Sequence, residues 1–582
     1  MARRRRQAFH VYDLETVNWV DPLSACGITE DGQILYFTGP DSHRLLAEAM
    51  CRIGGVWCAH VGGRFDALLL LKHLPPIIDM CIVGSTILSA HLLGGLVLRD
   101  TYPGWLSPLK DVGTSVGLPK LEYDAGKLAT LTPSELRDYN LRDCEILAKA
   151  IERHTYYSDA LGMTRKWTAG ASAVEALKVL EPGAYASMVE HRIHHEKIIA
   201  ARPCARGGRV EAPYRGEVHG VYCYDIKSSY PARYFQGAMG VGLQHLNKHQ
   251  AKRAWDNTHA ILRVCWRTNR MHGYAPAIDD ITYSGSGICQ AWLTWEERQA
   301  VGEVATEVEA VEGWASTYNI PFGQVFTNTL FPLKQKGVFF SKVWVNSLHG
   351  KLLEHPLKES WTQKQPPEDD WYEDEAPEYL DAVELYRYTT LSADYHGFCD
   401  PHYQPISAAL VYGRARADIT RIIRLVEQAG GLFYYTDTDS IHCSLSPDKM
   451  PVELGKELGC LNSEGGPYDA LYAGPKMYYL VHRETGERKT ACKGVRLSDL
   501  KSAKVTDGVY AWHPQGEDVQ EQFFRDILKG GAKYHKTGVK SFKSGTSGAD
   551  WTVAVDMQRF IQPTGSGRAY PSQGFAPYIH YG

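Results

Sequence analysis

GLFYYTDTDSIHC, residues 431–443, is an apolar strand pattern carrying Asp437 and Asp439 at alternate positions, and its reading decides the fold. Alternation on a strand predicts both carboxylates on one face. A buried Asp-Thr-Asp needs cations beside it, because desolvation and mutual repulsion would otherwise raise both pKa values. A second strand pattern, GVYCYDIKSSYP at 220–231, brings Asp225 with Ser228, Tyr230 and Pro231. The two patterns lie far apart, so a long excursion must return the chain to the same sheet. Phosphoryl transfer asks mainly for positioning and charge neutralisation, and two divalent cations supply both. Asp225 and Asp439 are the expected direct ligands, with Asp437 in support. A lone Asp-x-Asp at a strand end usually marks a turn; paired with YDIKSSYP it marks a site.

Within the excursion, VFFSKVWVNSLHGKLLEH at 338–355 reads as a helix. Lys342, Asn346 and Gly350 recur every four residues and form one stripe. A lysine there can reach a triphosphate and Asn346 can hydrogen-bond the nucleotide. Gly350 lets a base pair approach the backbone. Lys334 would add a second phosphate contact if the helix continued that far, but Lys336-Gly337 reads as a loop tip.

The first 163 residues alternate strand-like and helical runs, as in an α/β domain. Asp13 and Glu15 alternate on FHVYDLE and share a face. Asp66 opens a helical run in HVGGRFDALLL, and Tyr139 and Asp143 lie four apart in YNLRDCEIL, on one helix face. Four acids gathered in one place repel unless cations join them, and two metals suit in-line attack of water on a phosphodiester. Tyr139 would orient that water.

The 582 residues exceed one hydrophobic core, and 44% apolar with 22% charged content is ordinary for a globular protein. No apolar run approaches the roughly 18 residues a membrane span needs, and the basic start MARRRR has no apolar run behind it. A cytoplasmic protein without a membrane partner is expected. The thirteen cysteines show no paired framework, so reduced and mostly buried thiols are expected. His191, His194 and His195 lack acidic or cysteine partners and read as a surface feature. Nine acids and no lysine or arginine occupy residues 365–384; without them the formal charge of −4 becomes +5. The chain is a basic body with one acidic appendage, which reads as a solvated loop, a docking point for a basic partner or a segment that repels nucleic acid.

These elements resemble the family B DNA polymerases. Asp225 with SSYP resembles their motif A, KVWVNSLHG motif B and YTDTDS motif C. Asp13 and Glu15, Asp66, and Tyr139 with Asp143 resemble the three motifs of their proofreading DEDD exonuclease. The resemblance implies a DNA-dependent DNA polymerase with a 3′→5′ exonuclease, and two Mg²⁺ or Mn²⁺ ions at each site. It makes the Ile226 main chain a further metal ligand and Tyr230 a block to a ribose 2′-hydroxyl. Ser228 and Lys334 join the nucleotide contacts. Lys476 and Tyr478 of GPKMYYL would hold the primer terminus, and Thr16 and Phe65 the frayed single strand. Lys110, in SPLKDVGTSVGL, resembles a lysine that assists the nuclease. ARGGRVE, 205–211, resembles the Tyr-x-Gly-Gly linker, keeping Gly207 and Gly208 with Ala205 in place of tyrosine. Other departures are Gly62 where the family has Asn, His349 where it has Tyr, and Ser229 where it often has Leu.

Length and the positions of two insertions resemble the compact protein-primed branch of small phages and linear plasmids, the phi29 type. The implied fold is α/β and α+β multidomain. It comprises an RNase H-like exonuclease domain at 1–163 and a right-hand polymerase. The palm takes 164–236 and 404–508, the fingers 319–353 and the thumb 509–582. The first insertion takes 237–318 and the second, acidic one 354–403. The implied partners are primer-template DNA, dNTPs and a terminal priming protein. A monomer is expected, phage-encoded and working in the bacterial cytoplasm. DNA-primed or primer-independent synthesis is the alternative, and a nuclease with a vestigial polymerase a remoter one.

Overall fold

The computed structural model describes residues 9–17, 21–83, 86–122, 128, 130–234, 239–267, 288–303, 305–320, 322–362, 386–513, 515–539 and 554–563. The acidic segment 365–384 lies outside them. No helix among the described residues is long and apolar enough to cross a membrane.

The amino-terminal sheet forms around Phe9–Val17, which carries two of the expected acids. This strand runs parallel to Val56–Ala59 and antiparallel to Asp21–Ile28. Val11, Tyr12 and Leu14 are buried, as a central strand covered on both faces requires. Beyond Val56–Ala59 come Val97–Asp100, Thr86–Leu92 and Ile77–Val83. The sheet does not end there. Leu357–Thr362 pairs with Ile77–Val83, setting Trp361 opposite Met80, and Tyr386–Leu391 completes the nine strands. The base of the expected second insertion thus belongs to the amino-terminal sheet.

Helix Pro133–Ala160 packs on this sheet and carries Tyr139 and Asp143. Its start is fixed locally: Pro133 stands in the first turn and Thr132 caps it. The Glu135 N–H donates to the Thr132 hydroxyl at 3.3 Å, while the Glu135 carboxylate accepts the Thr132 N–H at 2.8 Å.

The central sheet has seven antiparallel strands, in the spatial order Arg488–Cys492, Met477–His482, Leu461–Gly474, Gly216–Ile226, Ser440–Cys443, Phe433–Asp437 and Val210–Glu211. Helix Pro405–Gln428 covers one face, burying Ile419, Ile422, Ile423 and Val426 against Tyr224, Ile226, Phe433 and Ile441.

A four-stranded sheet within 244–315 carries helix Trp295–Gly302, which lies along Pro405–Gln428. Two arginines join the two helices, Arg414 to Glu296 at 3.1 Å and Arg416 to Glu297 at 2.7 Å, and Arg424 reaches Glu303, just past the end of the shorter one, at 2.5 Å. The Arg416–Glu297 pair is fully buried, and Arg416 also donates to the carbonyl oxygens of Arg206 and Gly207.

The carboxy-terminal sheet begins at Ala503–Thr506, so the boundary expected at 509 falls within a hairpin. Helix Gln520–Lys529 buries Phe523, Phe524 and Ile527 on one face. Elsewhere one apolar cluster runs from Val11, Cys144 and Ile146 through Leu177 to Phe340, Trp344 and Leu348. It joins the amino-terminal domain to helix Phe339–Leu352 without a break. Twelve cysteines among the described residues are free and eight of these are buried, as their spacing predicted.

Candidate active sites

The central site forms where strand Gly216–Ile226 meets the hairpin of 433–443. Asp225 lies opposite Ser440, and the Ile226 N–H donates to the Asp439 carbonyl at 2.8 Å. One expectation is corrected here. Asp437 and Asp439 do not share a strand face, because Phe433–Asp437 ends at Asp437 and Thr438 takes a left-handed φ of 63°. The chain reverses between the two acids. Asp437 pairs with Lys476 Nζ at 3.1 Å and accepts the Tyr435 hydroxyl at 3.4 Å. Asp439 instead stands with Asp225. Burial, then the charge of Asp225, pushes Asp439 up to about 7. Burial also pushes Asp225 up to about 6, against the relief given by Lys227. Carboxylates whose charge is this poorly supported suit a bound cation.

Two lysines approach from separate helices. Gly337, with φ 78°, breaks Gln324–Gln335 from Phe339–Leu352, so the helix does not run on from Lys342 to Lys334. Lys334 nevertheless reaches the site, donating to Ser228 Oγ at 2.5 Å. Ser228 itself is left-handed, with φ 51°. Burial and the neighbouring Lys342 lower Lys334, and Asp225 and Asp439 hold its charge. Lys342 is exposed, Asn346 is half-buried, and the space over Gly350 is open. Tyr230 and His349 lie ring to ring at 4.3 Å, and burial lowers His349 to about 4.

The segment 205–211 presses directly on the turn at Thr438. Thr438 N–H donates to the Arg209 carbonyl at 2.7 Å, and a side chain at Gly208 would meet the Thr438 methyl at 2.6 Å. Glycine is the residue that fits. The Gly207 carbonyl accepts Arg416 at 2.8 Å. Lys476, left-handed at φ 57°, donates its N–H to the Tyr435 hydroxyl at 3.2 Å, and the Tyr478 ring lies 5.1 Å from that of Tyr435.

At the amino-terminal site, Asp13, Glu15 and Asp143 each present an oxygen within 4.8 Å of the others. Asp66 is buried beside them, its carboxylate accepting the Leu14 N–H at 3.1 Å. Burial and then Asp143 push Asp13 up to about 7, while Lys120 and Asn140 pull it down. Burial first, then Asp13, holds both Glu15 and Asp66 well above the usual range. Tyr139 lies under the Lys120 ammonium, 4.8 Å from ring centre to nitrogen.

Here a second expectation is corrected. Lys110 sits on the exposed side of helix Leu109–Val116 and pairs with Glu122, away from the acids. The lysine at the site is Lys120, paired with Asp143. Burial works against its charge, but Asp143 and Asp13 outweigh burial and raise its pKa. Asn140, whose amide donates to Asp13 at 2.7 Å, was also missed, although it lies three residues before Asp143 on the buried face of the same helix. So was Asp100, a buried carboxylate accepting the N–H groups of Val61 at 3.0 Å, Gly63 at 3.1 Å and Tyr102 at 2.9 Å. It holds the loop that leads into Phe65 and Asp66. Thr16 and Phe65 are both half-buried. A side chain at Gly62 would stand 2.4 Å from the Ala59 Cβ, so the Ala59 methyl excludes one.

The histidines read as a surface feature are half-buried. His191 packs on Tyr318 with ring centres 3.8 Å apart, and the His195 N–H donates to the Gly397 carbonyl at 2.9 Å.

No family model matches the chain, and no curated protein matches it in sequence. Solved structures do match in fold. Phi29 DNA polymerase complexed with single-stranded DNA has a TM-score of 0.69 at 16% identity, over 96% of this chain and 100% of that one. Its complex with primer-template DNA and incoming nucleotide has a TM-score of 0.67 at 16% identity, with the same coverage. The orthorhombic crystal form of that polymerase has 0.66 at 18% identity, again over 96% and 100%. The chain has the phi29 DNA polymerase fold over nearly its whole length.

Proposed function

We propose that this chain is a DNA-dependent DNA polymerase with its own 3′→5′ exonuclease, of the protein-primed family B type. The observation that carries the reading is the pair of separate acid clusters, Asp225 with Asp439 and Asp13 with Glu15 and Asp143, in which burial and repulsion raise the carboxyl pKa values. The fold shared with phi29 DNA polymerase, whose structures include DNA and nucleotide complexes, supports it. In this reading the central sheet is the palm, helices Gln324–Gln335 and Phe339–Leu352 the fingers, and the carboxy-terminal sheet the thumb.

Asp225, Asp439 and the Ile226 main chain would hold a Mg²⁺ or Mn²⁺ pair at the central site; Asp13, Glu15, Asp66 and Asp143 would hold another at the amino-terminal site. When bound, such a pair neutralises charge at the reacting phosphate. The chain's own groups do the rest. Lys342 and Lys334 take the triphosphate, with Ser228 fixing Lys334 in place. Asn346 hydrogen-bonds the nucleotide, and Gly350 leaves room for the base pair. Tyr230 occupies the space a 2′-hydroxyl would need. Lys476, steadied by Asp437 and Tyr435, and Tyr478 hold the primer terminus, while Gly207 and Gly208 let the linker lie against the turn. At the nuclease site Thr16 and Phe65 hold the single-stranded end, and Tyr139 orients the attacking water. Lys120 counters the rise that burial gives the Asp143 pKa.

A primed-template assay with Mg²⁺ and dNTPs tests this. Asp439→Ala should abolish extension and keep degradation, and Asp13→Ala with Asp66→Ala should do the reverse. One change that removes both activities from a folded protein refutes the two-site reading. Protein priming is tested apart from this, by covalent transfer of labelled dAMP from dATP to a hydroxyl side chain of a candidate terminal protein.

A further inference from the structure

Tyr230 does not stand alone. Its ring centre lies 4.3 Å from that of His349 and 5.2 Å from that of Tyr412, and His349 and Tyr412 are themselves 5.2 Å apart. The three rings close a triangle in which each touches the other two. Tyr412 meets both partners nearly edge to face, at interplanar angles of 81° and 84°, an arrangement aromatic quadrupoles favour.

The three rings come from three elements. Tyr230 stands on the short helix Ser229–Arg233, His349 on Phe339–Leu352 and Tyr412 on Pro405–Gln428. The last is pinned to its neighbour. A side chain at Gly413 would stand 2.0 Å from the Thr294 methyl, and Arg414 and Arg416 are paired with Glu296 and Glu297 on the same neighbour. The helix turn that follows Tyr412 is therefore held by close contact at Gly413 and by a buried ion pair at Arg416.

A ring that rejects a substrate by occupying space works only as well as it resists displacement. If it can swing aside by a rotamer change, the rejected substrate enters with little penalty. We infer that Tyr412 is a positioning residue for Tyr230, and that it sets how sharply the central site discriminates deoxyribonucleoside from ribonucleoside triphosphates. The inference rests on the polymerase reading and adds a determinant outside both strand patterns and the lysine helix.

The test compares kcat/KM for dNTP and rNTP incorporation on a primed template. In Tyr412→Ala the dNTP-over-rNTP ratio should fall roughly tenfold, through a lower KM for the ribonucleotide. Tyr412→Phe should keep the wild-type ratio, since the ring and not the hydroxyl makes the contacts. A merely structural role would lower the melting temperature and depress both substrates alike. If Tyr412→Ala does not fold, Tyr412→Val, which still empties the outer half of the ring's space, takes its place with the same readings. An unchanged ratio in the folded variant overturns the inference alone. A wild-type protein that incorporates no dNTP overturns the polymerase reading instead.

Discussion

Lys120 pairs with Asp143 at the amino-terminal acids, its side chain only 24% exposed and that of Asp143 only 4%. The cation is supplied from the loop before helix Pro133–Ala160, not from the helix that carries Lys110. Removing it should cost the nuclease and spare synthesis. Lys120→Ala is expected to lower single-strand hydrolysis roughly tenfold to a hundredfold, with primer extension intact and Lys110→Ala near wild type. The nuclease pH profile should also move to higher pH, because Asp143 and Asp13 lose the charge that pulls their pKa values down. Equal loss from both lysine substitutions would refute the assignment.

The central acids predict a linkage between pH and stability. Asp439 at about 7 and Asp225 at about 6 bind protons in the folded protein that an unfolded chain, near 4, has already released. Their contribution is therefore fully favourable below pH 4 and is lost as pH rises through 6 and 7. In chelator the melting temperature should fall across that window, and Mg²⁺ should restore it by about 2 °C or more at pH 8. Asp439→Asn should flatten the fall. Calorimetry with and without Mg²⁺ measures both.

Gly62 occupies a position where the resembled family has Asn, yet restoring Asn should harm this chain. The new Cβ would lie 2.4 Å from that of Ala59, and overpacking of this kind costs about 1–3 kcal/mol. Gly62→Asn should lower stability and hydrolysis together. Adding Ala59→Gly should recover part of each, as denaturant unfolding and single-strand degradation would report.

The Arg416–Glu297 pair is buried on both sides, so each partner depends on the other. Glu297→Ala should cost about 3–5 kcal/mol, the penalty of a stranded buried charge. Replacing both, as Glu297→Leu with Arg416→Met, should recover most of that loss. Urea unfolding compares them; a double variant as unstable as the single one would mean that the Arg206 and Gly207 carbonyls, not the ion pair, carry the contribution.

The acids were legible because strand alternation and four-residue helix spacing are local. Asp13 and Glu15 on one strand, and Tyr139 and Asp143 on one helix, stand as those periods predict. Asp437 and Asp439 were misread for the same reason: alternation assumes an extended chain, and a single left-handed residue, Thr438, breaks it. Lys120 lies in a loop with no period at all, and nothing in GLPKLEYD distinguishes it from Lys110. Asp100 acts through backbone N–H groups, which leave no mark on side-chain patterns. The pairing of Leu357–Thr362 with Ile77–Val83 joins segments with no common local signal.

That last pairing makes the amino-terminal part a poor candidate for excision. Cut after residue 163, the fragment would keep Ile77–Val83 but lose the hairpin that covers it, baring a row of amide and carbonyl groups. Such a fragment should stick to its own kind in solution, and a synthetic hairpin spanning 357–391 should dissolve the clumps. What looks in the primary structure like a detachable front end is stitched shut by thread drawn from the other half.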